Sequence, residues 1–157
     1  MSQTAPMTDA ADLTHYIETR YHQRHRAQLP SLADMAERVE RVHAAEGAVP
    51  AGLSDLLHRM IGEMEVHMKK EELILFPAIR KGGVSGLEHP IAVMRADHDG
   101  HDRDIAEIHR LTANLSLPDG ACGSWTALYA GLTEFVGDLT EHMRLENDVL
   151  FPQFEPR

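Results

Sequence analysis

Cysteine is almost absent from this sequence. One residue, Cys122, stands among 157, so no disulfide forms within the chain, which fits a reducing cytoplasm. Aromatic residues are scarce too, at four Phe, three Tyr and one Trp. The core must therefore come from Leu, Met, Val, Ile and Ala, the material of helical bundles. Basic residues are outnumbered, with 15 Lys and Arg against 25 Asp and Glu and a formal net charge of −10. That balance argues against nucleic acid and anionic membranes as partners. No uncharged run reaches the ~18–20 residues needed to span a bilayer. The first twenty residues carry no apolar stretch of a secretory signal. Strand-like alternation, low complexity and long linkers are all missing.

What is present is a chain of single-domain length with 43% hydrophobic residues, enough to bury a core. Residues 1–8 read as a loose tail and 9–157 as one domain. Four long helical patterns follow the tail, over about 9–45, 53–81, 90–115 and 124–154. Pro30 falls inside the first, where it should kink or restart the helix. Gly82-Gly83 closes the second, and Pro90 opens the third, where proline is tolerated. The expected fold class is all-α, an up-down-up-down four-helix bundle.

The unusual component is histidine, eleven in all. Two of them open a repeat: "HMKKEELILFP" at 67–77 returns as "HMRLENDVLFP" at 142–152, with the His, the Glu four residues on, and the Leu-Phe-Pro conserved between copies. Steps of three and four place these groups on apolar seams. The second helix gives Leu53, Leu57, Met60, Met64, His67, Glu71, Ile74 and Ala78. The fourth gives Trp125, Leu128, Leu132, Phe135, Leu139, His142, Glu146 and Val149. The third seam carries His98 and His101, and the first carries His22, His25 and His43. Core-facing His and Glu are costly unless something pairs with them.

Counting residues from each expected turn puts His22, His67, Glu71, His98, His142 and Glu146 at one height, to within roughly two helical turns. Four imidazoles and two carboxylates in one buried layer make a metal site. His and Glu at i, i+4 share a helix face. The simplest arrangement is two metals bridged by Glu71 and Glu146, with two His terminal to each and positions left open for oxygen or nitric oxide. Imidazole with carboxylate suits iron or manganese, and the lack of thiolates disfavours zinc or an iron–sulfur cluster.

The stretches "RYHQRHRAQLP", "HMKKEELILFP", "MRADHD", "GACGSWTALY" and "LTEHMRLENDVLFP" resemble the haemerythrin-like (HHE) domain of the repair-of-iron-centres proteins, over about residues 13–154. The resemblance implies a carboxylate-bridged centre of two iron ions, a cytoplasmic location, and a role in nitrosative and oxidative stress defence and in repair of damaged iron–sulfur clusters. It implies the same six ligands: His22, His67, Glu71, His98, His142 and Glu146. Small molecules such as O2, NO and peroxide are the implied partners, with iron–sulfur proteins as recipients. A turnover activity towards NO or peroxide stays open against a reversible O2 or NO carrier or sensor. Two departures stand out. Full-length members carry an N-terminal domain with a Cys-Cys pair, whereas this chain reaches His22 almost at once. The third helix reads "HDGHD", so Asp102 sits where haemerythrins place a second His and could add a ligand or a base.

Other residues carry plainer expectations. His25 and His101 read as neighbours of the site or as surface. His43 lies 21 residues beyond His22 and reads as a satisfied histidine at the end of the bundle. Lys69, Lys70 and Glu72 read as a solvated face, Glu63 and Asp97 as surface, and Cys122, at a helix start, as inert.

Overall fold

The computed structural model describes residues 8–82 and 85–156. The expected tail over 1–8 lies outside them except for Thr8. The first rod is α1 (Ala10–Ile17), a π-helical turn (Glu18–His22) and α2 (Gln23–Val42). The second is α3 (Leu53–Lys70), a π turn (Glu71–Leu75) and α4 (Phe76–Arg80). The third is α5 (Glu88–Leu111). The fourth is α6 (Gly123–Arg144), a π turn (Leu145–Leu150) and a 3-10 turn (Phe151–Phe154). No strand occurs among the described residues. The all-α expectation holds, and α2 packs on both α3 and α6, with α3 on α5 and α1 on α4.

Local chemistry sets the rod ends. The Asp9 carboxylate accepts the Asp12 amide at 3.0 Å and starts α1. The Glu40 carboxylate accepts the Gly52 and Ser54 amides at 2.7 and 2.8 Å. It thereby places a negative charge at the positive end of α3 and ties the first rod to the second. Gly82, at φ +101°, follows α4 in a left-handed conformation that favours glycine. Pro30 neither breaks nor restarts its helix, because α2 runs through it and leaves the ring exposed.

The core is in two parts. One gathers α2, α3 and α6 around Leu57, Met60, Leu128, Leu132 and Phe135. The other gathers α1, α4 and the rod ends around Leu13, Ile17, Leu75, Phe76, Ile91 and Phe151. A layer of buried His and Glu separates them. The three π turns lie at this layer. In each, an amide reaches back five residues: Gln23 to the Glu18 carbonyl, Phe76 to that of Glu71, Phe151 to that of Glu146. Each adds a residue to the helical turn and shifts the buried face by one. Ile74, expected on the seam, is 64% exposed, and Leu75 and Phe76 are buried in its place. Val149 is likewise half-buried while Leu150 and Phe151 fill the core.

Candidate metal centre

All six residues expected from the sequence converge. His22 and Glu71 come from the π turns of the first and second rods, His67 from the end of α3, and His98 from mid-α5. His142 closes α6, and Glu146 lies in the π turn that follows. His22, Glu71 and Glu146 are 0% exposed, and the other three no more than 2%.

Two four-residue groups form. His22, Glu71, His142 and Glu146 offer ligand atoms within 4.8 Å of one another, and so do His67, Glu71, His98 and Glu146. Both carboxylates belong to both groups. Each group draws its two imidazoles from different rods, the first and fourth or the second and third. His22 Nε2 lies 3.0 Å from Glu71 Oε1, His98 Nε2 2.8 Å from Glu146 Oε1, and His142 Nε2 3.1 Å from Glu146 Oε2.

Within the protein alone these atoms are poorly served. His67 Nε2, His98 Nε2, Glu71 Oε2 and Glu146 Oε1 are buried and lack a hydrogen bond of proper geometry. Buried polar atoms almost always have a partner, so orphans clustered at one point are themselves evidence for a ligand. Nitrogen and carboxylate oxygen in this proportion fit iron or manganese.

The hemerythrin HHE cation binding domain matches residues 14–154. The chain belongs to the hemerythrin HHE family. Its curated relatives include the iron-sulfur cluster repair protein YtfE of Yersinia pseudotuberculosis serotype IB and that of Yersinia pestis (strain Pestoides F). Both are 47% identical over 151 residues, covering 96% of this chain and 67% of the relative.

In this HHE domain every candidate imidazole turns Nε2 inward and is held from outside through Nδ1. Glu72 accepts from His22 Nδ1 at 2.7 Å, Asp97 from His67 Nδ1 at 3.0 Å, and Asn147 from His98 Nδ1 at 2.8 Å. The His142 Nδ1 lies 3.0 Å from His25 Nε2, one ring donating to the other. A proton held on Nδ1 leaves Nε2 as the free electron pair, and it fixes the ring plane. Glu72 is itself clamped by the fork of Arg26, at 2.8 and 2.9 Å. Hydrogen bonding to His22 and then Arg26 brings the Glu72 carboxyl down to about 2, against its partial burial. Glu72 therefore positions the candidate ligand His22, where the sequence suggested only a solvated face. Asp97 and His25 likewise support the candidate ligands His67 and His142. The signal available was that Glu72 and Asn147 directly follow the two glutamates of the repeat.

Ring contacts finish the layer. His22 stacks on Phe76 and His98 on Phe151, each with centroids 5.9 Å apart, so the Phe of each Leu-Phe-Pro lids an imidazole of another rod. Tyr21 stacks on His142 at 5.5 Å. His101 is buried edge-on to His67 at 5.0 Å with Nε2 unpartnered, whereas Asp102 is exposed. The suggested ligand role of Asp102 is therefore not supported. His43 lies with Cys122 at the other end of α2. A cleft lined by Arg59, Glu63, Asp97, Arg103 and Asp104 reaches inward to His101.

Electrostatics agree with a cation-binding role. Burial, then the neighbouring charge of Glu146, pushes the Glu71 carboxyl well above its ordinary range. Burial pushes Glu146 upward too, but His142 and His98 outweigh it and hold that carboxyl well down. Two carboxylates sharing one dry layer repel unless a cation or proton lies between them. Burial lowers His67 and brings His142 down to about 4, so both rings are in the neutral, ligating form at neutral pH. No described helix is long and apolar enough to cross a membrane.

Proposed function

We propose that this HHE domain holds two iron ions in the buried layer and serves in the repair of iron–sulfur clusters damaged by nitrosative or oxidative stress. The observation that carries the reading is the pair of His2Glu2 groups sharing Glu71 and Glu146, with His67 Nε2, His98 Nε2, Glu71 Oε2 and Glu146 Oε1 buried and without a hydrogen bond. Its biological context is the 47% identity to proteins named for iron–sulfur cluster repair. His22 and His142 would hold one ion and His67 and His98 the other, with Glu71 and Glu146 available to both. Iron so held supplies redox and ligand-exchange chemistry with four protein ligands per ion. That leaves room for NO, O2 or peroxide.

The chain's own residues do the rest. Glu72, Asp97, Asn147 and His25 hold the imidazoles through Nδ1 and keep Nε2 aimed inward. Phe76, Phe151 and Tyr21 exclude water around them. The cleft above His101 gives a small molecule a path to the His67 side. The cleft's mixed Arg, Asp and Glu lining would suit an iron ion on its way to a damaged cluster protein.

The test is metal analysis with Mössbauer spectra of protein purified from iron-replete cells. It is paired with reactivation of a peroxide-damaged [4Fe–4S] enzyme. The expected result is two irons per chain, lost in Glu71→Ala and Glu146→Ala, and reactivation that depends on loaded protein. A folded, iron-free product overturns the metal reading. A releasable O2 or NO adduct without reactivation would replace repair with carriage.

A further inference from the structure

The end of the bundle remote from the candidate metal centre holds a second constellation. His43 caps the C-terminus of α2, and Cys122 is the N-cap of α6. The two helix ends meet there, with His43 Nε2 3.1 Å from the Cys122 sulfur. The other ring nitrogen, Nδ1, bonds to the carboxylate of Glu46, one turn beyond in the loop. The ring rests on the buried Trp125, with centroids 4.8 Å apart, which restricts its swing. Cys122 is half-buried and Glu46 exposed, so the sulfur sits in a wall of the molecule and not in its core.

This is the arrangement of an activated nucleophile: a thiol, a base within hydrogen-bond reach, and a carboxylate that orients the base. Three effects favour the thiolate. Cys122 sits at the open first turn of α6, whose positive end favours a negative sulfur. His43 takes the proton, and Glu46 stabilises the resulting imidazolium. The Trp125 amide first, then His43, lowers the Cys122 thiol from its usual value, and Cys122 and Glu46 raise His43. About thirty ångströms of helix separate His43 from His22 (21 residues at about 1.5 Å each), so this pair takes no part in the metal layer.

We propose that Cys122, His43 and Glu46 form a reactive-thiol site whose substrate class is small hydroperoxides and related electrophiles. The Cys122 thiol passes its proton to His43 Nε2. The thiolate attacks one oxygen of hydrogen peroxide, forming the S–O bond as the O–O bond breaks. Sulfur is oxidised by two electrons to the sulfenic acid and the peroxide is reduced. The departing hydroxide takes the proton back from His43 and leaves as water. With no second cysteine in the sequence, the sulfenic acid is resolved only by an external thiol, which condenses to a mixed disulfide with loss of water.

The single cysteine makes the test direct. Protein as purified, with its metal, is alkylated at pH 7 with monobromobimane under pseudo-first-order conditions. It is separately treated with hydrogen peroxide in the presence of dimedone, and the Cys122 peptide is read by mass spectrometry. Wild-type protein should alkylate roughly tenfold faster than His43→Gln, with Glu46→Gln between them, and the dimedone adduct should fall in the same order. Glu46→Gln keeps its shape, and unchanged circular dichroism and iron content confirm that each variant is folded. Glu46 is exposed, so its variant keeps the test valid should loss of the His43 ring disturb Trp125. Equal alkylation rates in all three proteins, or no sulfenic adduct at Cys122 in the wild type, would overturn the proposal.

Discussion

Replacing Glu71 with glutamine sets two effects against each other. The side chain is 0% exposed, and its carboxylate shares the dry layer with Glu146. In metal-free protein that pair is a liability, because burial and Glu146 both work against the Glu71 charge. Replacing buried charges by neutral groups of similar volume is often neutral or stabilising by about 1–4 kcal/mol, and removal of one of two like charges is taken at the lower end, about 1–2 kcal/mol. For a chain of this size that raises Tm by roughly 2–8 °C. In iron-loaded protein the order reverses. Iron at 100 times its dissociation constant adds about 2.7 kcal/mol to the wild type. A variant that binds about 100-fold more weakly, the upper loss seen even for outer partners, gains only about 0.4 kcal/mol from the same iron. Glu71→Gln should therefore melt above the wild type with chelator present and below it with iron present. Paired thermal scans by circular dichroism, with iron assayed in the same samples, measure this. A variant less stable than the wild type without metal, or stabilised by iron as much as the wild type, would refute the charge-pair reasoning.

Three further outcomes are expected. Asn147→Ala removes the acceptor 2.8 Å from His98 Nδ1 and should weaken iron binding by about 10–100-fold, measured by chelator competition. The His98 Nδ1 donor left unpaired should also cost the metal-free protein about 1–3 kcal/mol. The metal-free protein should lose stability on acidification: burial brings His101 to about 3 and His142 to about 4, from an ordinary 6.5. The unfolded chain therefore binds more protons below pH 6.5. Stability is full above 6.5 and falls as pH drops towards 4. Urea midpoints taken across that range in Glu71→Gln, which removes the opposing contribution of the raised Glu71 carboxyl, should decline, and a flat profile would contradict the burial of neutral rings. Leu57→Ala, in the core part remote from the metal layer, should cost about 2–5 kcal/mol while iron per folded chain stays the same.

The candidate site was unusually legible before any coordinates. His and Glu spaced by four on two helices share a face whatever the tertiary structure, and residues equidistant from a turn meet in any up-down bundle. All six residues identified that way lie in the layer. The residues around them were harder to read. Glu72 looks like a solvated charge because its value comes from His22, fifty positions away in the sequence, and from Arg26. His25 and His101 read equally as support or surface, and Asp97 as surface, because a side chain's partner is set by packing, not by spacing. His43 and Cys122 are 79 residues apart, and nothing in either one's surroundings announces the other.

The sequence by itself determined four amphipathic rods, their direction, and the height at which six ligands meet. It did so because apolar period and turn position are local properties of the chain. The tertiary structure alone decided the register beyond that height. A straight 3.6-residue count carries the seams from Glu71 to Ile74 and from Glu146 to Val149. In the folded protein each glutamate's carbonyl instead accepts an amide five residues on, so the face advances by one and Leu75-Phe76 and Leu150-Phe151 turn inward. A π turn has no residue signature of its own. It exists here because the rods must bring His22, Glu71 and Glu146 to one point and still bury Leu-Phe above them, and only the packed bundle imposes both demands together.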